Sequence, residues 1–347
     1  MKQDLKSFTL PELKKEIENL GEKAFRAKQL YEWMHVKLAR DYDEMTNIPK
    51  SLIEKLKENY DYTSVREALV QTSKIDGTKK FLFELGDGNF VESVWMQYHH
   101  GNSVCISSQV GCRMGCRFCA STLDGLERSL LPGEMLDQIY AIERATNERV
   151  SNVVVMGTGE PLDNYDNLLK FIHMLSDENG LNISQRNITV STCGLVDRIK
   201  QLADEKLQIT LALSLHGSTQ EKRAELMPIA KRYNINEVVD ACRYYFDVTG
   251  RRITFEYSLV GGVNDTKEDA DNLCKLVGDM NCHINLIPVN PIKERDFVES
   301  EKKDVYKFQA LLEKNHIQAT IRREMGRDID GACGQLRRRA KEEHLTD

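Results

Sequence analysis

An α/β fold is predicted: a parallel sheet curled into a partial (β/α)6 or complete barrel, with a small helical domain ahead of it and a β-hairpin extension between them. Three observations carry this. From about residue 103, six apolar β-rich runs alternate with amphipathic helical windows. Before residue 66 the apolar spacing is helical throughout. Between the two, FLFEL and FVESVWMQ flank GDGN, a glycine-rich turn joining two strand-like runs. The expected divisions are residues 1–65, 66–102 and 103–347.

In chain order, LPELKKEIENL and AFRAKQLYEWMHVKLA carry apolar residues at helical spacing. Pro49 then precedes SLIEKLKENY, as proline often does at a helix start. After the hairpin come the strand candidates VCISSQ, VVVMG, NITVST, ITLALSLH, RITFEYSLV and HINLIPVN. Between most of them lie the helical windows LLPGEMLDQIYAIERAT, NYDNLLKFIHMLSD, LVDRIKQLADE, NINEVVDACRYYF and TKEDADNLCKLVG. A further helix over about 302–315 and the strand-like IQATIRR complete the pattern.

With 41% apolar and 29% charged residues among 347, the chain can bury a full core. No apolar run approaches the ~20 residues of a membrane span, and MKQDLKSFTLPELKKEIENL has no signal-type apolar stretch, so a cytoplasmic location is expected. Nine cysteines in such a chain favour metal binding or reactivity over a disulfide scaffold. The net charge of −6 argues weakly against nucleic acid, but net charge hides local patches.

The densest chemistry lies in GCRMGCRFCAS, where Cys112, Cys116 and Cys119 crowd into eight positions. Iron–sulfur clusters are held by cysteine thiolates, usually four. Three without an evident fourth leave one iron open to an outside ligand. A structural zinc site would want a second CxxC pair, which Cys193, Cys242, Cys274 and Cys282 do not make. Those four read as packing residues, Cys193 least firmly. Three inert buried thiols are the bland alternative for the cluster.

CRMGCRFC resembles the CxxxCxxC signature of radical S-adenosylmethionine (radical SAM) enzymes, and Phe118 before its last cysteine is similar to them too. CISSQVGC, GTGEPLDN, VSTCG, LALSLHG, RRITFEYSLVGGVND, CHINLIPVNP and DIDGACGQL extend the likeness to the RNA adenine methyltransferases of the RlmN/Cfr family over nearly the whole chain. The resemblance implies a TIM-like barrel of the radical SAM type. It also implies a [4Fe-4S] cluster on Cys112, Cys116 and Cys119 and two S-adenosylmethionine (SAM) molecules per methylation, one of them split into methionine and a 5′-deoxyadenosyl radical. The RlmN branch methylates C2 of an adenosine in 23S rRNA, and in some bacteria in tRNA; the Cfr branch methylates C8 of the same rRNA adenosine. GEPLDN and STCG resemble the RlmN branch, since Cfr tends to an alanine where Pro161 stands. C2 of adenine is electron-poor and no nucleophile, so ordinary SAM methylation does not suit it and a radical route does.

The resemblance further assigns Cys333 as methyl carrier, Cys105 as the thiol that resolves a protein–RNA adduct through a transient disulfide, and Glu92 as proton acceptor. Around Cys333 lie Arg322, Arg323, Arg327, Arg337, Arg338, Arg339 and Lys341 against Glu324, Asp328 and Asp330, a field that favours thiolate and attracts phosphate. On spacing alone Cys105 reads as a core strand residue and Glu92 as an exposed hairpin glutamate; only the resemblance raises them. Strand ends at the C-terminal rim of a barrel carry its chemistry. Gly159, Glu160, Ser191, Ser214, Leu215, His216 and Asn290 are the expected SAM contacts there. The N-terminal helices, with Arg26, Lys28 and Trp33, resemble the family's accessory RNA-binding domain. The expected partners are 23S rRNA, tRNA and a flavodoxin- or ferredoxin-like electron donor, with the chain acting as a monomer. Competing readings are C8 methylation, a glycyl-radical activating enzyme, and a non-methylating iron–sulfur RNA-binding protein. Cys333 and Cys105 discriminate, because an activating enzyme needs no methyl carrier.

Overall fold

The computed structural model describes residues 2–99, 101–289, 297–323, 325–329 and 336–337. Asn290 and Cys333 therefore lie outside the described residues.

The helical region comprises β1 (Gln3–Asp4), α1 (Leu10–Asn19), α2 (Phe25–His35), α3 (Lys50–Asn59) and β2 (Tyr60–Asp61), with β1 and β2 paired in parallel. Thr9 caps α1 in a capping box with Glu12. The window expected to run through Ala39 stops at His35, and Leu38 turns left-handed at φ 57°. Lys6 reaches out of this region to Asp137, Nζ to Oδ1 2.8 Å, with both side chains fully buried. Its apolar residues join those of the barrel in one continuous core.

The predicted hairpin is β4 (Lys79–Glu84) and β5 (Phe90–Tyr98), but β3 (Arg66–Thr72) adds a third antiparallel strand. REALVQT is mostly exposed, so it lacks the one-sided apolar alternation that marks a half-buried strand. Through β5 this meander continues into β6 (Gly101–Cys105), the first barrel strand. A short pair follows, β7 (Gln109–Gly111) with β8 (Leu126–Ser129), and then α4 (Pro132–Thr146).

The βα succession then runs β9 (Val150–Val155), α5 (Tyr165–Leu175), β10 (Ile188–Thr192), α6 (Val196–Asp204) and β11 (Thr210–Ser214). It continues through α7 (Gln220–Leu226), α8 (Ile235–Thr249), β12 (Ile253–Leu259), α9 (Lys267–Val277), β13 (Cys282–Pro288), α10 (Lys302–Lys314) and β14 (Gln318–Ile321). All six predicted barrel strands form. The sheet order is β14-β13-β12-β11-β10-β9-β6-β5-β4-β3, parallel from β14 to β6 and antiparallel beyond. Among the described residues the sheet is open, a partial barrel, and no helix is long and apolar enough to cross a membrane.

Register decides which side chains share a face. Paired residues point the same way, and so do residues two apart. Val104, Val153, Val190, Leu211, Leu213, Phe255 and Ile284 face the helices and are fully buried. The opposite, lumen face carries the row Lys80, Val94, Cys105, Val154 and Thr189. A second lumen row pairs Ser214, Glu256, Asn285 and Thr320. Glu92 lies two residues from Val94, and Ser191 two from Thr189. Both therefore join the same polar face.

Candidate active site

The cysteine loop hangs between two strands that hold each other. Gly111 ends β7 at φ +78°, and a Cβ there would overlap the carbonyl oxygen of Gly125. Cys112 N–H donates to that same oxygen at 2.8 Å. Within the loop, Cys119 N–H donates to Cys116 O at 3.1 Å, and Thr122 Oγ1 donates to the Cys116 and Cys119 carbonyls at 3.1 and 2.9 Å. Arg117 N–H ties the loop to Leu226 O at the end of α7, 2.9 Å away.

Cys112 and Cys116 are buried and Cys119 half-buried. Burial pushes the Cys112 thiol up to about 12, and Cys119 and Glu160 add to it. Burial raises Cys116 as well, followed by Cys119 and Cys112. The three thiols sense one another, yet among the described residues no three His, Cys, Asp or Glu side chains converge as a site for a single metal ion. Three cysteine thiols gathered in one loop are the donor type that holds iron–sulfur clusters. The donor set fits an iron–sulfur cluster.

Glu160 sits just past the end of β9 and is almost fully buried. Its Oε1 accepts from Leu162 N–H at 3.0 Å and its Oε2 from Cys193 N–H at 2.7 Å. Burial raises its pKa, while these N–H donors pull the other way. The Thr192 and Cys193 side chains also donate to the carboxylate, and an incoming ammonium would join or replace these donors. Gly159, at φ +113°, has a packing reason to be glycine: a Cβ would meet Gln109 Cβ at 2.7 Å and Ser108 Oγ at 2.8 Å. Ser191 and Ser214 stand on neighbouring strands with their hydroxyls 3.3 Å apart. Leu215 is fully buried in the main core. His216 is left-handed at φ 53°, accepts Ser258 N–H on Nδ1 at 2.9 Å, and meets Phe118 edge-on at 4.8 Å. Leu38, Asn147, Asn182, Lys206 and His316 share this left-handed backbone, so it is the contacts of His216 that tie it to the site. His216 thus locks the cysteine loop to the end of β12.

Glu92 is buried, against the exposed alternative. Lys80 Nζ lies 3.0 Å from its Oε2, and Arg337 N–H donates to its Oε1 at 2.6 Å. Leu336 packs on Leu82 and Phe90, which flank Glu92 on the same face. Farther back, Ser73 Oγ donates to Asp328 Oδ1 at 2.6 Å, and Gly326 N–H donates to Asp76 Oδ2 at 2.9 Å. The β3–β5 meander thereby holds the chain on both sides of residues 330–335. Cys105 is buried on the Glu92 face, one strand away.

The structure therefore brings Glu92, Cys105, Ser191 and Ser214 to one face, with Glu160 and the three clustered cysteines near the same rim. Arg26 and Trp33 bond locally instead, to Gln29 and Asn47. Several residues were missed. Lys80 stands just ahead of the predicted strand FLFEL, and the observed strand extends back to include it. Arg223 and Glu256 carried no signal, since α7 was not predicted and a glutamate in a strand run reads as solvent-facing.

A family model for the radical SAM superfamily matches residues 106–277, and one for the ribosomal RNA large subunit methyltransferase N-terminal domain matches residues 3–61. The chain is 65% identical over 340 residues to a probable dual-specificity RNA methyltransferase RlmN of Lachnospira eligens, covering 98% of this chain and 97% of that protein. It is 56% identical over 333 residues to the Clostridium novyi protein of the same name, covering 96% and 97%. A radical SAM methyltransferase from Sphaerobacter thermophilus superposes with a TM-score of 0.92 at 40% identity, covering 96% of this chain and 98% of that one.

Proposed function

The chain belongs to the RlmN family of radical SAM RNA methyltransferases, and on that premise we propose that it methylates C2 of an adenosine in 23S rRNA, and of one in tRNA, through a methyl carried on Cys333. As a radical SAM enzyme it uses a [4Fe-4S] cluster and SAM, which together supply the methyl group and a 5′-deoxyadenosyl radical. Cys112, Cys116 and Cys119 hold the cluster. Gly159, Glu160, Ser191, Ser214, Leu215, His216 and Asn290 surround SAM, of which two molecules are consumed per methylation. The helical region 1–65 grips the RNA strand while the target base leaves its stack. A flavodoxin- or ferredoxin-like protein supplies electrons to the monomer.

The observation that carries this reading is the shared lumen face of Glu92 and Cys105, with Arg337 N–H on the Glu92 carboxylate four residues beyond Cys333. Once the carbon carried on Cys333 has given a hydrogen atom to the 5′-deoxyadenosyl radical and bonded to C2, the adduct must lose one proton and one electron. Glu92, both of whose oxygens are engaged, takes the proton by exchanging one partner, and the electron would return to the cluster. Cys105 thiolate then attacks the Cys333 sulfur. The sulfur–carbon bond breaks, its electron pair stays on the carbon and is protonated to methyl, and a disulfide joins the two cysteines. The Cys105 position, one strand from Glu92, suits that order of events.

The test is nucleoside mass spectrometry of rRNA and tRNA from a strain deleted for this chain and complemented with it. Loss and return of 2-methyladenosine is expected in both RNAs. Loss of 8-methyladenosine instead would make the chain a C8 enzyme, and no change in either would end the proposal.

A further inference from the structure

Arg223 is a fully buried side chain on α7, among the largest such groups in the molecule. Its seat is cut to fit. At Gly194, φ +101°, a Cβ would stand 3.1 Å from Nη2, and at Gly217 one would stand 2.6 Å from the Arg223 backbone nitrogen. Nη2 donates to Cys193 O at 2.6 Å. Nε and Nη1 have no hydrogen-bond partner among the described residues. The acidic groups that bear on the guanidinium are the thiols of Cys193, Cys116 and Cys242. Beyond the Cys193 carbonyl the guanidinium has thiols and no carboxylate bearing on it, and a buried cation so placed is costly; such charges persist where an anion meets them.

The surroundings say which anion. Three residues on from Arg223, Leu226 O accepts Arg117 N–H, and Glu225 O accepts from Arg117 Nη1 at 3.3 Å. Arg117 is the residue next to Cys116, so α7 is fastened beneath the cysteine loop. Cys193, which Arg223 holds by its carbonyl, gives its N–H to Glu160. A cluster with three thiolates is anionic and gains a further negative charge on reduction, and hydrogen bonds and nearby charge tune its potential.

We propose that Arg223 is a positioning residue for the cluster: its buried guanidinium is the fixed counter-charge and hydrogen-bond donor at the Cys116 corner, and it raises the reduction potential. The inference rests on the reading that Cys112, Cys116 and Cys119 hold the cluster. In the step concerned, one electron enters from an external reductant such as dithionite, and no bond breaks.

The test is an anaerobic redox titration of the reconstituted full chain, followed by electron paramagnetic resonance, for wild type, Arg223→Gln and Arg223→Lys. Without SAM, Arg223→Gln should lower the reduced-to-oxidised ratio at a given potential at least tenfold, equivalent to about 59 mV for a one-electron couple. Arg223→Lys should recover most of it. Wild-type protein labelled with 15N-arginine should show nitrogen hyperfine coupling to the reduced cluster, a readout that needs no variant to fold. Absence of that coupling overturns the inference, as does an unchanged potential in Arg223→Gln. A potential unchanged without SAM but a weakened SAM affinity would assign the guanidinium to the SAM carboxylate instead. A wild-type chain that reconstitutes no cluster overturns the ligand reading and this inference together; a wild-type cluster indifferent to Arg223 overturns this inference alone.

Discussion

Cys105 is where a bland and a chemical reading part. As a core thiol on β6, its loss to alanine costs roughly 1 kcal/mol and turnover survives. As the resolving thiol, its loss stops the reaction after the base is joined to Cys333. We expect Cys105→Ala to purify with RNA attached through Cys333, seen as a nuclease-sensitive shift on a denaturing gel and absent from the Cys105→Ala, Cys333→Ala double variant. A single variant that turns over normally without RNA returns Cys105 to the core. Glu92 carries a second expectation. Its pair with Lys80 is buried on both sides, 0% and 4% exposed, and breaking such a pair strands a charge. Lys80→Met should destabilise the protein by about 3–5 kcal/mol in denaturant unfolding, and adding Glu92→Leu should recover most of that. Additive losses would show that the two do not act as a pair. At this scale the sequence speaks through spacing, as in the crowding of Cys112, Cys116 and Cys119 into one loop. It was silent where pairing across strands sets the neighbours: nothing in FVESVWMQ says that Glu92 faces Lys80 and Cys105 rather than water.

At the scale of elements, the alternation of apolar runs and helical windows located every barrel strand, because a buried strand and an amphipathic helix each carry a period of their own. The elements that escaped are short or exposed. β7 and β8 span three and four residues, too few to show a period, and yet they clamp the cysteine loop. Gly111 makes that clamp testable. Its φ of +78° and its contact with the Gly125 carbonyl leave no room for a side chain. Gly111→Ala should displace the loop while leaving the barrel intact. Iron bound per chain after reconstitution should fall severalfold, with the far-ultraviolet circular dichroism unchanged. Full iron content in that variant would show that the loop tolerates the shift and that β7–β8 does not govern the ligands.

For the whole molecule, the helical region and the barrel read as separate units in the sequence, since the spacing changes abruptly near residue 66, but periodicity carries no information about docking. In the structure they share a core. His35 on α2 meets Tyr140 on α4, Nδ1 to OH 2.7 Å, and burial pushes its pKa down to about 3 from 6.5. Unfolded, the imidazole gains a proton near pH 6.5; folded, it resists to about 3. Stability from this group is therefore complete above pH 6.5 and declines as the pH falls toward 3, by about 1.4 kcal/mol per pH unit. His35→Leu should flatten the acid limb of stability against pH relative to wild type, and an unchanged slope would mean that His35 protonates in place. The wider consequence concerns Asp137. Its Oδ1 is held by Lys6 at 2.8 Å and its Oδ2 by Val65 N–H at 2.7 Å, while Ser7 Oγ accepts Gly133 N–H at 2.9 Å. Each of these partners belongs to residues 1–65. A chain beginning at Arg66 removes these partners, leaves Asp137 with Arg144 Nη1 at 3.7 Å, and bares the face of α4 that carried the helices. Breaking the pair within the intact chain, as in Lys6→Met, costs about 3–5 kcal/mol; baring the apolar contacts of the whole helical region takes its loss from a total stability of only ~5–15 kcal/mol. That shortened chain should aggregate or lack a cooperative thermal transition, and Asp137→Leu should not relieve the defect, because it adds to the exposed apolar face. A shortened chain that melts cooperatively and still takes up iron would make the helical region a removable RNA-binding module, with the Lys6–Asp137 pair serving to orient it on the barrel.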